Sequence, residues 1–260
     1  MTQIVGFSGK KQSGKNTCCN FIVMLKLIEN GVCKKAKIGD DGLIYVSDVF
    51  GESIKGQEYI KFDNPDINTD AVLETLNEVK LYALADKLKQ MAVEVFGLEP
   101  EMVYGTNKQK NQKTKFLWRD MPGMDLNFKA TYSGESGKKK QMTARQFLQY
   151  MGTEVFRNMY EDIWLDSMMR QIEKDNPKLA LVSDARFDNE IRGIQKSGGI
   201  VLGLTRDLFN SKDTHASEQV QLDLCDKIID NEKLDIAEQN KAVYLALKDL
   251  NCKYLTDLGV

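Results

Sequence analysis

Short apolar runs alternate with longer amphipathic stretches along this chain. The runs have the length and β-branched composition of buried strands; they cover residues 3–7, 79–85, 179–182, 200–204 and 227–229. Apolar residues recur at helical spacing in stretches between them; these are 14–29, 86–97, 143–160, 163–175 and 234–250. Strands that alternate with helices form a mostly parallel sheet with helices on both faces. The pattern predicts a three-layer α/β/α fold around a five-stranded, mostly parallel sheet, with Asp86 and Asp162 capping the helices that follow them.

Three stretches interrupt this alternation and are predicted to be insertions. Residues 37–75 contain Gly- and Asp-rich turns between short β-like runs, which predict a small β-hairpin. Residues 105–140 form an irregular, lysine-rich loop, and 207–217 are polar enough for a short lid over phosphates. The chain is therefore expected to be a single domain over residues 1–260, with a β-rich insertion, a basic loop and a lid.

A glycine-rich loop follows the first predicted strand and opens the first predicted helix. Residues 6–17 read GFSGKKQSGKNT. Glycines let the backbone turn its N–H groups toward an anion, and the helix N-terminus adds donors and the positive end of its dipole. Lys15 then reaches phosphate oxygens as a point charge. The order of strand, loop and helix predicts a phosphate-binding P-loop; the alternative is a glycine-rich turn without a ligand.

One position departs from the usual P-loop pattern. Asn16 stands where a Ser or Thr normally contacts Mg²⁺, and Thr17 follows it. Asp184 follows the predicted strand 179–182, at the edge where open α/β sheets place their ligands. An acid there is placed to hold Mg²⁺ directly or through water. We therefore predict a metal site at Asn16 and Asp184, and leave open whether Asn16 or Thr17 makes the loop's contact.

Two other groups of polar residues are candidates for ligand binding. Arg186 and Glu190 open a predicted helix four residues apart, as an ordinary ion pair or as a device that turns Arg186 toward a phosphate. Arg145, Gln149 and Gly152 share one stripe of the predicted helix 143–160, beside an apolar stripe of Ala144, Leu148, Met151 and Val155. That polar face suits a phosphate and a base with room for a ring at Gly152, although an ordinary exposed face has the same composition.

Composition narrows the class of protein. The 260 residues are 42% hydrophobic, and the formal net charge of −2 attracts neither nucleic acid nor a membrane surface. No apolar run has the length of a membrane span, and the N-terminus lacks a signal-peptide pattern. The five cysteines have no metal-ligand spacing, and His215 is the only histidine. These features are typical of free thiols in a reducing cytoplasm and argue against a zinc site.

An ordered set of motifs resembles the bacteriophage deoxynucleoside monophosphate kinases. The set is GFSGKKQSGKNT, LADKLKQMAVEVFG, TARQFLQYMGTEVFR with Trp164 after it, LVSDARFDNE, and DTHASE followed by IIDN. The P-loop alone is generic, whereas RQxLQxxGT, then Trp, then DxR is specific. The resemblance runs from residue 3 to about 231, and it is poor in the first two insertions. An acid or amide followed by Thr is usual at position 16 in this family.

The resemblance implies transfer of the γ-phosphoryl group of ATP to deoxynucleoside 5′-monophosphates, with Mg²⁺, for DNA precursor supply. Lys15, Arg145, Asp184 and Arg186 would be catalytic. The ATP site would comprise Gly9, Ser13, Gly14, Lys15, Asn16, Thr17 and Arg206, with Arg206 as an arginine supplied in cis. The acceptor site would comprise Lys89, Arg145, Gln149, Gly152, Thr153, Trp164, Arg186 and Glu190. On pattern alone, Trp164 is more typical of a core residue than of a stacking surface.

Two other functions stay open. The first is another small-molecule P-loop kinase, such as a phosphomevalonate kinase, and the second is a DNA-associated ATPase. Gln149 and Trp164 favour a nucleotide acceptor over the first, and the balanced charge argues against the second. The expected partners are therefore ATP and a nucleoside monophosphate, in the cytoplasm (that of the host cell if a phage encodes the chain). The bases accepted and the oligomeric state, with a homodimer as one candidate, are left open.

Overall fold

The computed structural model describes residues 2–49, 59–62, 70–122, 140–207 and 221–255. Its strands are β1 (Gln3–Gly9), β2 (Cys33–Ile38), β3 (Ile44–Val49), β4 (Ile60–Lys61), β5 (Val79–Tyr82), β6 (Lys113–Leu117), β7 (Gln141–Thr143), β8 (Leu179–Ala185), β9 (Ile200–Leu204) and β10 (Lys227–Ile229). Its α-helices are α1 (Lys15–Glu29), α2 (Asp70–Glu78), α3 (Asp86–Glu94), α4 (Pro100–Tyr104), α5 (Asn107–Lys110), α6 (Ala144–Gln149), α7 (Ile163–Asp175), α8 (Asp188–Lys196) and α9 (Ile236–Asp249). A π-helical segment, Tyr150–Arg157, follows α6 directly.

The chain forms two compact units. The first comprises Met1–Ala83 and Met169–Val260, and the second comprises Leu84–Met168. The expectation of one domain with insertions stays a prediction. Of the predicted lid, 207–217, all but Asp207 lies outside the described residues, as do residues 123–139 of the predicted basic loop. Within the described ranges, no helix has both the length and the apolar character needed to cross a membrane.

A five-stranded parallel sheet is the centre of the first unit. Its strand order is β10-β9-β1-β8-β5, and every pairing within it is parallel. All seven residues of β1 are buried because the strand has a neighbour on each side and lies at the middle of the sheet. This is the mixed α/β architecture of P-loop kinases, and it confirms the predicted fold class. The predicted strands 200–204 and 227–229 have the predicted bounds.

Helices α1 and α9 supply much of the core beside this sheet. Ile22 and Leu27 of α1 and Leu247 of α9 are almost completely buried, in one cluster with Phe7 and Leu202 from the sheet. Burying one such side chain contributes about 1.5–3 kcal/mol. The core therefore fixes where α1 begins, immediately after the glycine-rich loop.

The first insertion is larger than the predicted hairpin. Strands β2, β3 and β4 form a three-stranded antiparallel sheet, in which Lys35 lies opposite Ser47 and Val46 opposite Ile60. Strand β2 was not expected because its sequence, CKKAKI, exposes its lysines and buries only Cys33. A strand with so few inward apolar side chains lacks the hydrophobic alternation on which sequence patterns depend.

The second unit corrects three local predictions. Asp86 is the first residue of α3 and not its cap, since Ala85 holds that position without a side-chain bond. The described part of the lysine-rich stretch is not irregular, because it contains α5 and β6, which pairs with β7. The predicted helix 143–160 is regular only to Gln149 and continues as the π-helical segment.

The π-helical segment also changes which residues are buried. A wider turn breaks the i, i+3, i+4 spacing of an α-helix. Ala144 and Met151 of the predicted apolar stripe are buried, as are Phe147 and Tyr150, whereas Leu148 and Val155 of the stripe are half-exposed. Thr143 caps α6 by accepting the backbone N–H of Gln146 at 3.2 Å.

Candidate active site

The glycine-rich loop connects the end of β1 to the start of α1. Gly9 and Gly14 have φ angles of +152° and +102°, a region that side chains disfavour. A Cβ atom on Gly9 would lie 2.8 Å from the carbonyl oxygen of Leu204, and one on Gly14 would lie 2.5 Å from Oε1 of Gln239. Both positions therefore require glycine for the backbone path and for the space.

The ammonium group of Lys15 lies inside this loop. Lys15 is 7% exposed, and its Nζ donates to the carbonyl oxygens of Gly9 at 2.7 Å and Lys10 at 2.6 Å. The first turn of α1 contains no acidic residue, and no side chain caps its N-terminus. This end of α1 thus combines a buried cation with the positive end of a helix dipole, which is the electrostatic pattern of an anion site.

Asp184 lies close to this loop through the pairing of the sheet. Strand β8 is hydrogen-bonded to β1, with Ala185 opposite Ser8, so that Asp184 is at the carboxyl end beside the loop. Burial raises the pKa of the Cys19 thiol, nearby Cys18 and Asp184 raise it further, and Lys15 lowers it. Asp184 and Lys15 therefore both interact electrostatically with the Cys19 thiol of α1.

The oxygen donors near the loop fit a magnesium ion that is bound partly by phosphates. Asn16 is exposed, whereas Thr17 and Asp184 are half-buried. Within the described residues, no group of three or more His, Cys, Asp or Glu residues could hold a metal by itself. Mg²⁺ is commonly bound by one or two protein oxygens together with substrate phosphates and water. The donor set suits that arrangement, and the metal contacts of Asn16 and Asp184 stay predictions.

Asn231, which follows β10, bonds directly to the loop. Its Nδ2 donates to the carbonyl oxygen of Ser13 at 2.8 Å and to Oε1 of Gln239 at 2.6 Å. Gln239 in turn donates to Sγ of Cys18 at 3.3 Å. Neither Asn231 nor Gln239 was predicted from the sequence to have a role at this site. The only available signal was an amide directly after a predicted strand, within the IIDN motif.

Arg206 is held by the same segment. Its backbone N–H donates to Oδ1 of Asn231 at 2.9 Å, and its Nε donates to the carbonyl oxygen of Asn231 at 3.0 Å. Its terminal guanidinium nitrogen donates to the carbonyl oxygen of Leu234. An Arg206 that moves toward a transferring phosphoryl group must first break the two side-chain bonds, so its predicted role requires rearrangement.

A cavity of about 870 Å³ opens beside Arg206. Its lining combines apolar and aromatic side chains with cations, carboxylates and one amide, and includes Phe21, Ile38, Asp40, Arg206, Glu232 and Asn240. Asn240 is 5% exposed, and its buried Oδ1 has no hydrogen-bond partner within the described structure. The sequence did not predict this cavity, because α1, β2 and α9, which contribute to the walls of the cavity, are distant along the chain.

Glu190 supports Arg186 through the backbone. The Glu190 side chain is 2% exposed, and its Oε2 accepts the backbone N–H groups of Arg186 at 2.8 Å and Phe187 at 3.0 Å. A carboxylate buried in this way orders the turn between β8 and α8 rather than facing solvent. The geometry favours a positioning role for Glu190 over the predicted contact with substrate.

The remaining acceptor-site candidates lie in the second unit. Arg145 donates to Oδ1 of Asn107 at 2.9 Å and to Oδ1 of Asn111 at 3.3 Å. Lys89 lies 3.6 Å from a carboxylate oxygen of Asp86. Gln149 and Thr153 are half-buried on α6 and the π-helical segment. Their contacts with a nucleotide stay predictions.

Gly152 and Trp164 pack against each other in the interior of this unit. Trp164 is 5% exposed, its indole N–H donates to the carbonyl oxygen of Gly152 at 3.0 Å, and its ring meets Phe156 edge to face. A Cβ atom on Gly152 would lie 2.7 Å from Cδ2 of Leu88. Leu88 therefore occupies the space directly beside Gly152, and the approach of a ligand ring to Gly152 stays a prediction.

Comparisons with known proteins agree with this architecture. A family model described as deoxynucleotide monophosphate kinase matches residues 102–240, which is more than half of the chain. This chain belongs to the deoxynucleotide monophosphate kinase family. The resemblance drawn from the motifs is confirmed. The match contains the segments of Arg145, Trp164, Asp184, Arg206 and Asn231, but the glycine-rich loop lies outside it, so that the loop's geometry is an independent observation.

Two relatives carry related names. The putative deoxynucleotide monophosphate kinase of Acanthamoeba polyphaga mimivirus is 30% identical over 153 residues, covering 52% of this chain and 65% of the relative. The deoxynucleoside-5′-monophosphate kinase of Escherichia phage T5 is 42% identical over 50 residues, covering 19% of this chain and 20% of the relative. The chain therefore spans slightly less than two thirds of the first relative and a fifth of the second.

Proposed function

We propose that this member of the deoxynucleotide monophosphate kinase family transfers the γ-phosphoryl group of ATP to a deoxynucleoside 5′-monophosphate. The products are ADP and a deoxynucleoside diphosphate. The observation that carries the proposal is the buried Lys15 ammonium, held inside a glycine-rich loop at the start of α1. The family match supplies the class of acceptor.

The donor phosphates would bind where the loop and α1 meet. Gly9, Ser13 and Gly14 shape the backbone, and Asn16 and Thr17 lie in the first turn of the helix. Lys15 would exchange its carbonyl partners for phosphate oxygens, which attract an ammonium more strongly because they are charged. The cavity beside Arg206 would then hold the nucleoside of ATP, since it offers apolar walls together with polar groups.

The acceptor would be bound by the candidate residues on α3, α6, the π-helical segment and the turn after β8. Arg145, Arg186 and Lys89 would hold its phosphate, and Gln149 and Thr153 its sugar and base, with the buried Trp164 supporting the π-helical segment. Arg206 would stabilise the transferring group. A bound Mg²⁺, held by Asp184 and the loop, would neutralise phosphate charge. The residues proposed to bind ATP belong to the first compact unit, whereas most of those proposed to bind the monophosphate belong to the second.

The transfer needs no protein base. An oxygen of the acceptor phosphate forms a bond to the γ-phosphorus while the bond to the β,γ-bridging oxygen breaks, and that oxygen leaves with ADP. The second pKa of a phosphate monoester is about 6, so the acceptor is mainly a dianion at neutral pH and carries no proton that must be removed. The protein's task is to align two anions and cancel their repulsion.

A coupled assay of ADP release tests this proposal. The protein is incubated with ATP and Mg²⁺ and, in separate reactions, each common deoxynucleoside and ribonucleoside monophosphate, phosphomevalonate, and duplex DNA. We expect turnover that depends on at least one deoxynucleoside monophosphate. Turnover with phosphomevalonate alone, or ATP hydrolysis stimulated only by DNA, would replace the proposed function with one of the alternatives.

In keeping with its five free thiols, we propose the cytoplasm as the place of this reaction.

A further inference from the structure

Asn231 connects three segments of the first unit through a single buried side chain. Asn231 is 0% exposed. Its Nδ2 bonds the carbonyl oxygen of Ser13 in the glycine-rich loop and Oε1 of Gln239 in α9, and its Oδ1 accepts the backbone N–H of Arg206. A buried amide in which both donor hydrogens and the acceptor oxygen are used specifies one arrangement of its neighbours.

The backbone of Asn231 adds two further bonds. Its N–H donates to Oγ1 of Thr205 at 3.1 Å, and its carbonyl oxygen accepts Nε of Arg206 at 3.0 Å. Arg206 is therefore bonded to Asn231 through both its backbone and its guanidinium group. The same residue fixes the start of the segment after β9 and the middle of the glycine-rich loop.

Gln239 extends this arrangement to the helix that follows the loop. It is 1% exposed, it accepts from Asn231, and it donates to Sγ of Cys18 on α1. Its Oε1 occupies the space that a side chain at position 14 would need. Asn231 and Gln239 therefore contact the loop at Ser13 and Gly14 and the first turns of α1 at Cys18.

We propose that Asn231 is a positioning residue that holds the glycine-rich loop in the arrangement required by the donor phosphates and anchors the backbone of Arg206 beside it, with Gln239 as its support. The inference rests on the proposed function for its kinetic consequence, but its structural consequence does not depend on that function. Asn231 touches no reacting atom. It acts on Ser13 and Arg206, which are expected to contact ATP.

Substitution of Asn231 separates this role from general stability. Asn231→Ala removes every side-chain bond, whereas Asn231→Asp retains an acceptor for the Arg206 N–H but places an oxygen against the carbonyl of Ser13. Thr75→Val is the matched control. Thr75 lies on α2 of the same unit, is 1% exposed, and accepts a hydrogen bond from Nδ2 of Asn30. Gln239→Met preserves volume, and serves if the Asn231 variants do not fold.

The first measurement is hydrogen exchange of the backbone amides of residues 9–17 without ligand. Because buried polar groups lose their partners, we expect exchange in this segment to become about tenfold faster in Asn231→Ala and Asn231→Asp. A smaller increase in the same segment is expected for Gln239→Met, and none for Thr75→Val. Unchanged exchange in the Asn231 variants, or in Gln239→Met where these do not fold, would overturn the inference. An equal increase in Thr75→Val would do the same.

The second measurement is steady-state kinetics with ATP and the best acceptor. We expect kcat/KM for ATP to fall about tenfold or more in Asn231→Ala, with KM for the acceptor almost unchanged. An equal rise in KM for both substrates would contradict a positioning role toward the donor. If the unmodified protein phosphorylates no acceptor, the proposed function fails, whereas the exchange experiment still decides the role of Asn231 in the loop.

Discussion

The indole N–H of Trp164 donates to the carbonyl oxygen of Gly152, 3.0 Å away, in the interior of the second unit. Gly152 belongs to the π-helical segment, in which backbone carbonyls do not all have their usual α-helical partners. Trp164, near the start of α7, is therefore bonded directly to the backbone of the π-helical segment. The two residues depend on each other structurally, whatever their contacts with substrate.

Replacing Trp164 should reduce stability more than it affects catalysis. Trp164→Phe removes the indole donor and part of the buried ring, and we expect a loss of about 1–3 kcal/mol in the free energy of unfolding. Urea unfolding followed by circular dichroism measures this change, and kinetics of the folded variant provide the comparison. A normal unfolding midpoint together with a large rise in KM for the monophosphate would instead show that Trp164 contacts the ligand.

Replacing Glu190 should affect Arg186 through the backbone. Glu190→Ala leaves the N–H groups of Arg186 and Phe187 without the buried carboxylate, at an expected cost of about 1–3 kcal/mol, whereas Glu190→Gln keeps one acceptor oxygen. We expect KM for the monophosphate to rise several-fold in Glu190→Ala and less in Glu190→Gln. Asp188→Ala, an exposed change in the same helical turn, is the control. Equal effects of all three variants would refute this order.

Arg145 should distinguish the two substrates. Its guanidinium is held by Asn107 and Asn111 in the second unit, whereas the loop that is expected to bind ATP belongs to the first unit. We expect Arg145→Ala to raise KM for the monophosphate at least tenfold, corresponding to about 1.4 kcal/mol, with little change in KM for ATP. Arg119→Ala, which removes an exposed cation of the same unit, should change neither. An effect of Arg145→Ala on ATP alone would remove Arg145 from the acceptor site.

The Cys18 thiol should make stability depend on pH in the alkaline range. Burial raises its pKa from 9.0 to about 12, and the bond from Gln239 only partly opposes this shift. Because the folded pKa is higher than the unfolded one, the folded protein holds the proton more tightly. The contribution of the protonated thiol to the free energy of unfolding is therefore fully present below pH 9 and is lost as the pH rises toward 12.

The test compares the unmodified protein with Cys18→Ala across this range. The thiol should contribute a loss of about 1.4 kcal/mol per pH unit between its two pKa values. Between pH 9 and pH 12, the free energy of unfolding of Cys18→Ala should therefore fall less steeply with pH than that of the unmodified protein. Identical slopes for the two proteins would show that the thiol is not shielded from water as the structure describes.

Continuous hydrophobic patterns explain what the sequence predicted correctly. Strands β1, β9 and β10 consist of apolar runs, and α1 has a regular apolar face, so that one-dimensional patterns were sufficient. Strand β2 escaped prediction because lysines occupy three of its six positions. The π-helical segment escaped because an α-helical period was assumed across a wider turn.

Long-range contacts explain what the sequence left unassigned. The glycine-rich loop is a local motif, and its sequence predicted that Lys15 lies where the loop meets the first helix. Asn231 bonds Ser13 across 218 positions of the chain, and the cavity beside Arg206 has walls from three distant elements. No local spacing marks such a residue, because its partners meet only after the parallel sheet has formed.

Lys15 provides the most direct test of the account. Lys15→Ala and the control Lys26→Ala, a change on the same helix at a lysine that pairs with Glu29, are compared in the coupled assay with ATP and the best deoxynucleoside monophosphate. We expect Lys15→Ala to lower kcat at least about a thousandfold, since it removes the buried cation aimed at the phosphates, with its circular dichroism spectrum preserved. Lys26→Ala should retain activity near that of the unmodified protein. A folded Lys15→Ala variant with near-normal turnover would contradict the proposed phosphoryl transfer at this loop.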